Sequence, residues 1–455
     1  MSTTTASAAD SRAVWRIAGP LILSNLTVPL LGMVDAAVLG HLERAGYLAG
    51  VSLAGAVFSL LFISMNFLRM GTTGLAAQAD GRRDGAALRE ILGQGLVVAV
   101  GIAVLLIALQ RPVSTLAWQL LGAEPAVQSA AATYFDIRIW GAPLTLANYV
   151  LLGWFIGLQN ARAPLIIVLI ANSTNIVLDI VFVNVVGMRA DGVALASVIA
   201  EGLGLATGLF LAAGVLSTRP AAFDLACLKR AARYARFFAL NRHIFVRTLV
   251  LVGTLSFMTA QGVRFGEVVL AANALLMNLQ AVLSYGLDGL AQAAEALVGH
   301  AWGERRVRRL RQAVRVSLIW SVAMAIGFAA VFWGGGPFII GLLTDLPDVR
   351  AAALTFLPWL ILSPLVSVWS FLFDGVFVGT TWGQEMRDVM LVSSLLVFVP
   401  AWWLSYGLGN HGLWLAFTVF MLARGLGMAV IYGRRMRQPP VTDWPEDDSV
   451  QSPPQ

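Results

Sequence analysis

The sequence predicts an all-α polytopic membrane protein, with about twelve transmembrane helices in two six-helix lobes. One reason is composition, because apolar residues make up 58% of the 455 residues and charged residues only 12%. A soluble domain cannot bury that much apolar surface, whereas a membrane protein exposes it to lipid. The other reason is an internal repeat, in which the same succession of apolar segments occurs twice along the chain.

The internal repeat keeps one offset along the chain. Residues 48–83 match residues 270–305 at a shift of 270 − 48 = 222 residues, and Phe155-Ile-Gly157 recurs as Phe377-Val-Gly379 at the same shift. Each half contains about six apolar runs of roughly 20 residues, the length that crosses a bilayer. Because this number is even, both halves enter the membrane in the same direction, which predicts a pseudo-twofold axis along the membrane normal.

The apolar runs define the predicted spans and the domain boundaries. The spans are Val14–Leu39, Leu48–Ala77, Leu88–Leu109, Val127–Phe155, Leu165–Val186, Val193–Val215, Phe245–Val263, Val268–Val298, Val314–Trp333, Ala351–Val378, Val389–Leu408 and Leu413–Ile431. We therefore expect an N-terminal cytoplasmic tail at 1–13, an N-lobe at 14–216, a cytoplasmic linker at 217–241, a C-lobe at 242–436 and a disordered cytoplasmic tail at 437–455.

Basic residues cluster in alternate loops, around Arg83, Arg233 and Arg308. By the positive-inside rule, these loops and both termini face the cytoplasm of a bacterial-type inner (plasma) membrane. The net charge of +6 therefore does not indicate nucleic-acid binding. Binding of the basic loops to anionic lipid or to a partner is the alternative. Cys227 is the only cysteine, which excludes a disulfide within the chain.

Polar side chains inside spans are costly, which makes them candidate functional residues. Asp35 lies among apolar and small residues of the first span, where we expect it to bind a proton or a cation; capping a helix end near the membrane surface is the alternative. Asn172, Asn175 and Asp179 share one face of the fifth span, because their spacings are three and four residues. With Asn148 of the fourth span they can hold a cation, and a structural hydrogen-bond network is the alternative.

Two further residues of the first half are predicted to be structural or gating. Pro29 lies six residues before Asp35 and predicts a kink in the first helix. Arg138 is expected to anchor a neighbouring carboxylate or the helix end rather than to bind substrate.

Five residues are candidates for lining a substrate cavity: Asp35 and Asn172 in the first half, and Tyr285, Asp288 and Asp374 in the second half. Glu295 is a structural or gating candidate. Asp288 and Glu295 are seven residues, or about two turns, apart on one face of the eighth span. These acids either attract a cationic substrate or hold the C-lobe together by pairing with arginines. Arg69 and Arg138 are the only arginines expected to be buried within spans.

The two halves differ at the acids of the first and fifth spans. At the repeat offset, Asp35 corresponds to Phe257, and Asp179 corresponds to the region of Trp402. The scaffold is therefore duplicated while this pair of acids is not. This difference predicts that the coupling site lies in the N-lobe.

Several segments together resemble the multidrug and toxic compound extrusion (MATE) transporters, in the branch of DNA-damage-inducible protein F. These segments are AGPLILSNLTVPLLGMVDAAVLGHL, GTTGLAAQADGRRD, IRIWGAPLTLANYVLLGWFIGLQNARAP, NIVLDIVFV, LDGLAQAAEALVGHAWGER and FDGVFVG. The resemblance extends from Ala18 to about Tyr432. It implies antiport by alternating access, in which an organic, cationic or amphipathic compound leaves in exchange for protons or sodium ions.

By the same resemblance, Asp35 is the first-span acid, and Asn175, Asp179 and Asn148 form the cation cluster, with a sodium ion at Asp35, Asn175 and Asp179 as one form of it. The sodium-coupled bacterial branch is expected to have a glutamate in the seventh span, and Phe245–Val263 contains no acid. We expect drug-like small-molecule substrates, a monomer in the lipid bilayer, no cofactor and no nucleic-acid partner.

Other classes of function fit the sequence less well. Lys229 is the only lysine and no Walker-type phosphate loop is present, and the four histidines show no metal-binding spacing, which argues against an enzyme. A lipid-precursor flippase of the same fold, the closest alternative, should need an arginine-rich cavity, which two buried arginines do not provide. A passive channel would not need an acid site in only one lobe.

Overall fold

The structure is a computed structural model that describes residues 8–40, 45–122, 124–219 and 231–437. The side chains at 8–9, 28–33, 35–40, 45, 121, 126, 231–233 and 236 lie outside this description. Within the described ranges the chain is built of helices, and the all-α class predicted from the sequence is confirmed. The ends of the predicted tails and the middle of the predicted linker, at 1–7, 220–230 and 438–455, lie outside the described residues.

The first half forms helices α1 to α9. They are α1 (Ala8–Gly40), α2 (Ala45–Ser64), α3 (Phe67–Gly81), α4 (Gly85–Ala108), α5 (Gln110–Leu121), α6 (Pro125–Arg138), α7 (Ala142–Gly157), α8 (Arg162–Ile180) and α9 (Ala190–Ser217). A 3₁₀ turn at Ile139–Gly141 joins α6 to α7, and a π-helical turn at Val181–Val185 extends α8. Single predicted spans therefore contain local breaks, which lets α2–α3 and α6–α7 bend within the membrane.

The second half forms helices α10 to α16. They are α10 (Ala231–Val263), α11 (Glu267–Gly303), α12 (Val307–Leu343), α13 (Pro347–Gly379), α14 (Gly383–Leu391), α15 (Val399–Ser405) and α16 (Asn410–Arg437). A π-helical segment at Val392–Phe398 joins α14 to α15, and a 3₁₀ turn follows at Tyr406–Leu408. The π-helical segments of the two halves interrupt corresponding spans.

The internal repeat of the sequence is also a repeat of backbone geometry. Arg83 and Arg305 both have a left-handed backbone, with φ of 57° and 59°, and they stand at the repeat offset. Gln159 and Thr381 form a second such pair, with φ of 57° and 60°. Left-handed geometry is strained for residues other than glycine, so its recurrence shows that the same tight turns join the same helices in both halves.

Two glycines at the repeat offset close tight helix contacts. A Cβ atom added to Gly153 would lie 2.2 Å from the carbonyl oxygen of Arg69, and one added to Gly375 would lie 2.3 Å from that of Ala291. Helices α3 and α7 therefore pack backbone to backbone, as do α11 and α13. Small residues that permit such contacts are the usual basis of helix association in membranes.

The chain divides into two compact units. The first unit is Leu23–Phe238, and the second unit combines Met1–Ile22 with Ala239–Gln455. In the first unit α7 packs against α3, α4 and α9, and in the second unit α13 packs against α11, α12 and α16. Helix α1 is divided between the units after Ile22, so its first turns pack with the second half of the chain.

Eleven helical segments among the described residues are long and apolar enough to cross a membrane. They correspond to the second to twelfth predicted spans, and α1, with 33 residues, is long enough to form another. The prediction of an integral membrane protein with about twelve helices is confirmed. Two features were not predicted: α5 is a separate 12-residue helix, and α10 begins within the predicted linker.

Candidate functional site

Asp179 is the most deeply buried acidic side chain among the described residues of the first unit. Its exposed fraction is 0%, and it lies near the end of α8, just before the π-helical turn. Single π-helical turns inside α-helices are frequent at functional sites. A carboxylate at this depth in a membrane span carries a large cost for its charge.

Asn175 lies one turn before Asp179 and joins it to α9. In the amide orientation that satisfies both of its polar atoms, Asn175 donates to Asp179 Oδ2 at 2.9 Å and accepts from the hydroxyl of Ser197 at 3.1 Å. With the amide turned by 180°, its nitrogen instead donates to the hydroxyl of Ser197 at 3.1 Å and its oxygen faces Asp179. The first orientation suits an ionised Asp179, and the second suits a protonated Asp179.

Asn172, one turn before Asn175, connects α8 to α1. Its amide nitrogen donates to the hydroxyl of Thr27 at 2.9 Å, and that hydroxyl donates to the carbonyl of Ser24 at 2.7 Å. The predicted stripe on α8 therefore contacts α1 with one member and α9 with the next.

Asn148, on α7, binds α9 one turn beyond Ser197. Its amide nitrogen donates to the backbone carbonyl of Glu201 at 3.0 Å, while its side-chain oxygen Oδ1 is buried without a hydrogen-bond partner in the described part of the chain. Asn148 and Asn175 therefore meet α9 at consecutive turns. The unused oxygen is an acceptor available to a bound cation or to a water molecule.

Arg138 pairs with the side chain of Glu201. The guanidinium donates to the two carboxylate oxygens at 3.1 Å and 2.5 Å, and the hydroxyl of Thr145 donates to the same carboxylate. This bidentate pair holds α6 and α7 against α9. Glu201 is therefore engaged by a permanent cation.

Asp374 forms the corresponding charged centre of the second unit. Its Oδ2 accepts from the guanidinium groups of Arg247 and of Arg424, the latter at 2.9 Å. The three side chains come from α10, α13 and α16, and their residues are at most 8% exposed. Asp374 is thereby paired with two guanidinium groups of its own lobe.

The sequence profile of the MatE family matches residues 20–181 and 243–403, one match in each half. The chain belongs to the MatE family. DNA damage-inducible protein F of Escherichia coli (strain K12) is 41% identical to this MatE chain, over 94% of the chain and 93% of the relative. The probable multidrug resistance protein NorM of Deinococcus radiodurans is 27% identical, over 93% of the chain and 95% of the relative.

Solved structures show the same MatE fold. A crystal structure of a MATE protein in the bent conformation superposes with a TM-score of 0.84 at 18% identity, covering 94% of this chain and 96% of that one. An outward-facing multidrug resistance MATE transporter gives a TM-score of 0.83 at 19% identity with the same coverage. The family expected from the resemblance and the two-lobed fold expected from the internal repeat are confirmed.

The remaining predicted residues occupy separate places in this MatE chain. Pro29 and Asp35 belong to α1, but their side chains lie outside the described residues. Tyr285 and Asp288 are half-buried on α11, where Asp288 interacts electrostatically with Tyr285 and with Arg424. Glu295 is 3% exposed on the same helix, two turns further on.

The expectation that Arg69 and Arg138 are the only arginines buried in spans is wrong. Arg247 and Arg424 are 8% and 4% exposed and lie within α10 and α16. Arg247 stands close to the start of its predicted span, where a long side chain usually reaches the membrane surface. Arg424 lies well inside its predicted span, so the sequence alone was sufficient to identify it as a buried charged residue. Both guanidiniums bind Asp374, so they do not form the arginine-rich cavity that a flippase of pyrophosphate-linked lipids would need.

Proposed function

We propose that this protein is a secondary active antiporter, which exports organic cationic or amphipathic compounds in exchange for protons or sodium ions by alternating access. The observation that carries the proposal is the buried pair of Asp179 and Asn175 in the first unit, with the half-buried Ser197 bonded to Asn175. The names of its relatives, which include multidrug resistance proteins, support the class of substrate. We further propose that it acts as a monomer in a bacterial-type inner membrane with both termini in the cytoplasm.

The first step of the proposed mechanism is neutralisation of Asp179. Because a buried charge is costly, a proton or a sodium ion that neutralises the carboxylate binds favourably there. A proton on Asp179 would be donated to the oxygen of Asn175 once the amide has turned. A sodium ion would instead be bound by carboxylate, amide and hydroxyl oxygens, the ligand class that hard cations prefer.

The second step passes this change to the neighbouring helices. When the amide of Asn175 turns, Ser197 on α9 exchanges its role from donor to acceptor. Asn172, on the same face of α8, donates a hydrogen bond to Thr27 on α1, the helix that contains Pro29 and Asp35. We propose that Asp35 takes part in the same exchange and that Pro29 lets α1 bend with it.

Two other carboxylates in the spans, Glu201 and Asp374, suit a structural part. Glu201 is held by Arg138, and Asp374 is held by Arg247 and Arg424, so each keeps a permanent counter-charge. A group that must exchange a proton or a sodium ion in every cycle cannot be held in this way. This contrast supports the placement of coupling in the first unit.

Transport by purified protein in proteoliposomes tests the proposal. A pH gradient and a sodium gradient are imposed separately, and uptake of ethidium, a fluorescent organic cation, is followed. Asp179→Asn should lower gradient-driven uptake by about 5- to 150-fold, the usual range of coupling free energies. Asp348→Asn, at an exposed carboxylate in the first turn of α13, is the matched control and should transport like the wild type.

Two outcomes would contradict the proposal. Unchanged gradient-driven uptake by Asp179→Asn, with protein incorporation equal to the wild type, would remove the first unit's carboxylate from coupling. Ethidium flux that is not accelerated by a non-fluorescent organic cation placed on the opposite side would indicate a channel, because only a carrier exchanges one substrate for another.

A further inference from the structure

An apolar groove of about 420 Å³ runs along the second unit between the start of α1 and the middle of α12. Its lining is entirely hydrophobic or glycine, and comprises Trp15, Trp320, Ala323, Met324, Gly327, Phe328 and Val331. This groove is separate from the charged centre at Asp374 and from the cluster around Asp179. The mechanism proposed above does not use it.

The groove has the length of one lipid tail. From Trp320 to Val331 the helix rises about 16 Å, at 1.5 Å per residue. Half of the hydrocarbon core of a bilayer is about 15 Å thick. The groove is therefore about as long as one leaflet is deep, and the absence of a side chain on Gly327 leaves room in its middle.

One end of the groove has the character of the membrane interface. Trp15 and Trp320 meet edge to face with ring centroids 5.3 Å apart, and tryptophan is enriched at the level of the lipid headgroups. Asp10 and Gln312 form a 2.6 Å hydrogen bond before them. The two contacts follow one another in the same order along both helices, so α1 and α12 run in the same direction here.

Exposed arginines surround this end. Arg12 and Arg16 are one helical turn apart on α1 and flank Trp15, while Arg315 lies between Gln312 and Trp320 on α12. Basic side chains at this level attract anionic headgroups, and basic pockets between membrane helices bind them selectively. The opposite end of the groove, at Val331, is apolar.

We propose that this groove binds an anionic phospholipid, with one acyl chain between α1 and α12 and its phosphate at Arg12, Arg16 and Arg315. The juxtaposition carries the proposal: an apolar groove about as long as one leaflet is deep, closed at one end by two tryptophans and bordered there by three arginines. A bound lipid of this kind joins the first turns of α1 to α12 and so stabilises the second unit.

The experiment measures retention of dioleoyl phosphatidylglycerol and of dioleoyl phosphatidylcholine by the purified full-length protein. The two lipids have the same chains and differ in headgroup charge. Lipid adducts are counted by native mass spectrometry, and the thermal unfolding midpoint is measured with each lipid added. The wild type should retain phosphatidylglycerol preferentially and be stabilised by it.

Two pairs of variants separate the tail site from the headgroup site. Gly327→Leu fills the groove, since a Cβ there meets no atom within 4 Å, and should abolish the tightly held lipid. Gly334→Leu, on the same helix outside the groove and equally open at Cβ, should retain it. Arg16→Gln with Arg315→Gln should lower the affinity for phosphatidylglycerol by about 25-fold, about fivefold for each arginine. Arg162→Gln with Arg264→Gln, at exposed arginines elsewhere, is the control.

The proposal is overturned if Gly327→Leu retains as much phosphatidylglycerol as Gly334→Leu. It is equally overturned if both lipids bind the wild type alike, which would indicate general contact with bilayer lipid. Loss of lipid in both arginine double variants alike would contradict the assignment of the headgroup to this end of the groove.

Discussion

Asn172 on α8 and Thr27 on α1 are joined by a 2.9 Å hydrogen bond from the amide nitrogen to the hydroxyl. The contact lies on the same helical face as Asn175 and Asp179, and Thr27 is two residues before Pro29. Asn172 therefore joins the face of α8 that carries Asp179 to α1. Polar contacts of this kind between membrane helices are modest in energy but directional.

Thr27→Val should uncouple α1 from α8 with little loss of stability. Valine keeps the shape of threonine and removes the hydroxyl, and such interhelical hydrogen bonds contribute about 0.6 kcal/mol on average. We expect gradient-driven uptake to fall several-fold, while the free energy of unfolding changes by less than about 1 kcal/mol. In a double-mutant cycle with Asn172→Leu, the effect of the double change on uptake should differ from the sum of the effects of the two single changes.

Thr207→Val provides the matched control for this cycle. Thr207 is half-buried, like Thr27, and donates to the carbonyl of Leu203 within its own helix. If Thr207→Val and Thr27→Val impair transport equally, the contact between α8 and α1 has no special part in coupling.

Glu201→Gln should destabilise the first unit by about 3 kcal/mol, because it leaves the buried guanidinium of Arg138 without its counter-charge. The double change Arg138→Met with Glu201→Leu should cost less, since it removes both charges together. Unfolding by denaturant in detergent, followed by tryptophan fluorescence, measures both. A double variant less stable than Glu201→Gln would show that the pair itself, rather than avoidance of a lone charge, stabilises the fold.

The spans could be predicted from the sequence because bilayer thickness fixes the length of each apolar run. The stripe of Asn172, Asn175 and Asp179 could be predicted because helical periodicity alone places them on one face. Their partners could not be predicted in the same way. Ser197 and Thr27 are small polar residues on other helices, and only the packing of α8 against α1 and α9 selects them.

The charged centre of the second unit could be predicted only as one of two alternatives. Asp374 was expected either to face substrate or to pair with an arginine, and the sequence offers no local signal that decides between them. The partners come from α10 and α16, 127 and 50 residues away. Helical periodicity relates only residues of the same helix, so it cannot predict pairs that are this far apart along the chain. The pairing follows only from the three-dimensional fold. The short helix α5 was missed because it is too short to cross the bilayer.

The glycine contacts predict equal effects in the two halves. Gly153→Ala and Gly375→Ala should each destabilise the protein by about 1–3 kcal/mol, because the new Cβ would overlap a backbone carbonyl that cannot move aside. Gly214→Ala, where a Cβ meets no atom within 4 Å, should instead be neutral or stabilising by up to about 1 kcal/mol. Thermal unfolding of the three variants decides this, and a large effect in only one half would contradict the repeat of the packing.

Asp374→Asn should be the most damaging single change in the charged centre of the second unit. It leaves two buried guanidinium groups, those of Arg247 and Arg424, without the carboxylate oxygen that both contact. Removing one partner of a buried ion pair typically costs about 3–5 kcal/mol. Arg424→Met should cost less, because Asp374 then keeps Arg247 and no guanidinium is left without a partner.

The ranking separates a structural centre from a transport site. If the three side chains only hold α10, α13 and α16 together, Asp374→Asn should lower the stability more than Arg424→Met does. The Arg424→Met protein that remains folded should then transport at the wild-type rate. Yield of monodisperse protein and unfolding midpoints give the first comparison, and ethidium uptake per folded molecule gives the second. Uptake that collapses in folded Arg424→Met would place this centre in the transport cycle, and the structural assignment would then fail.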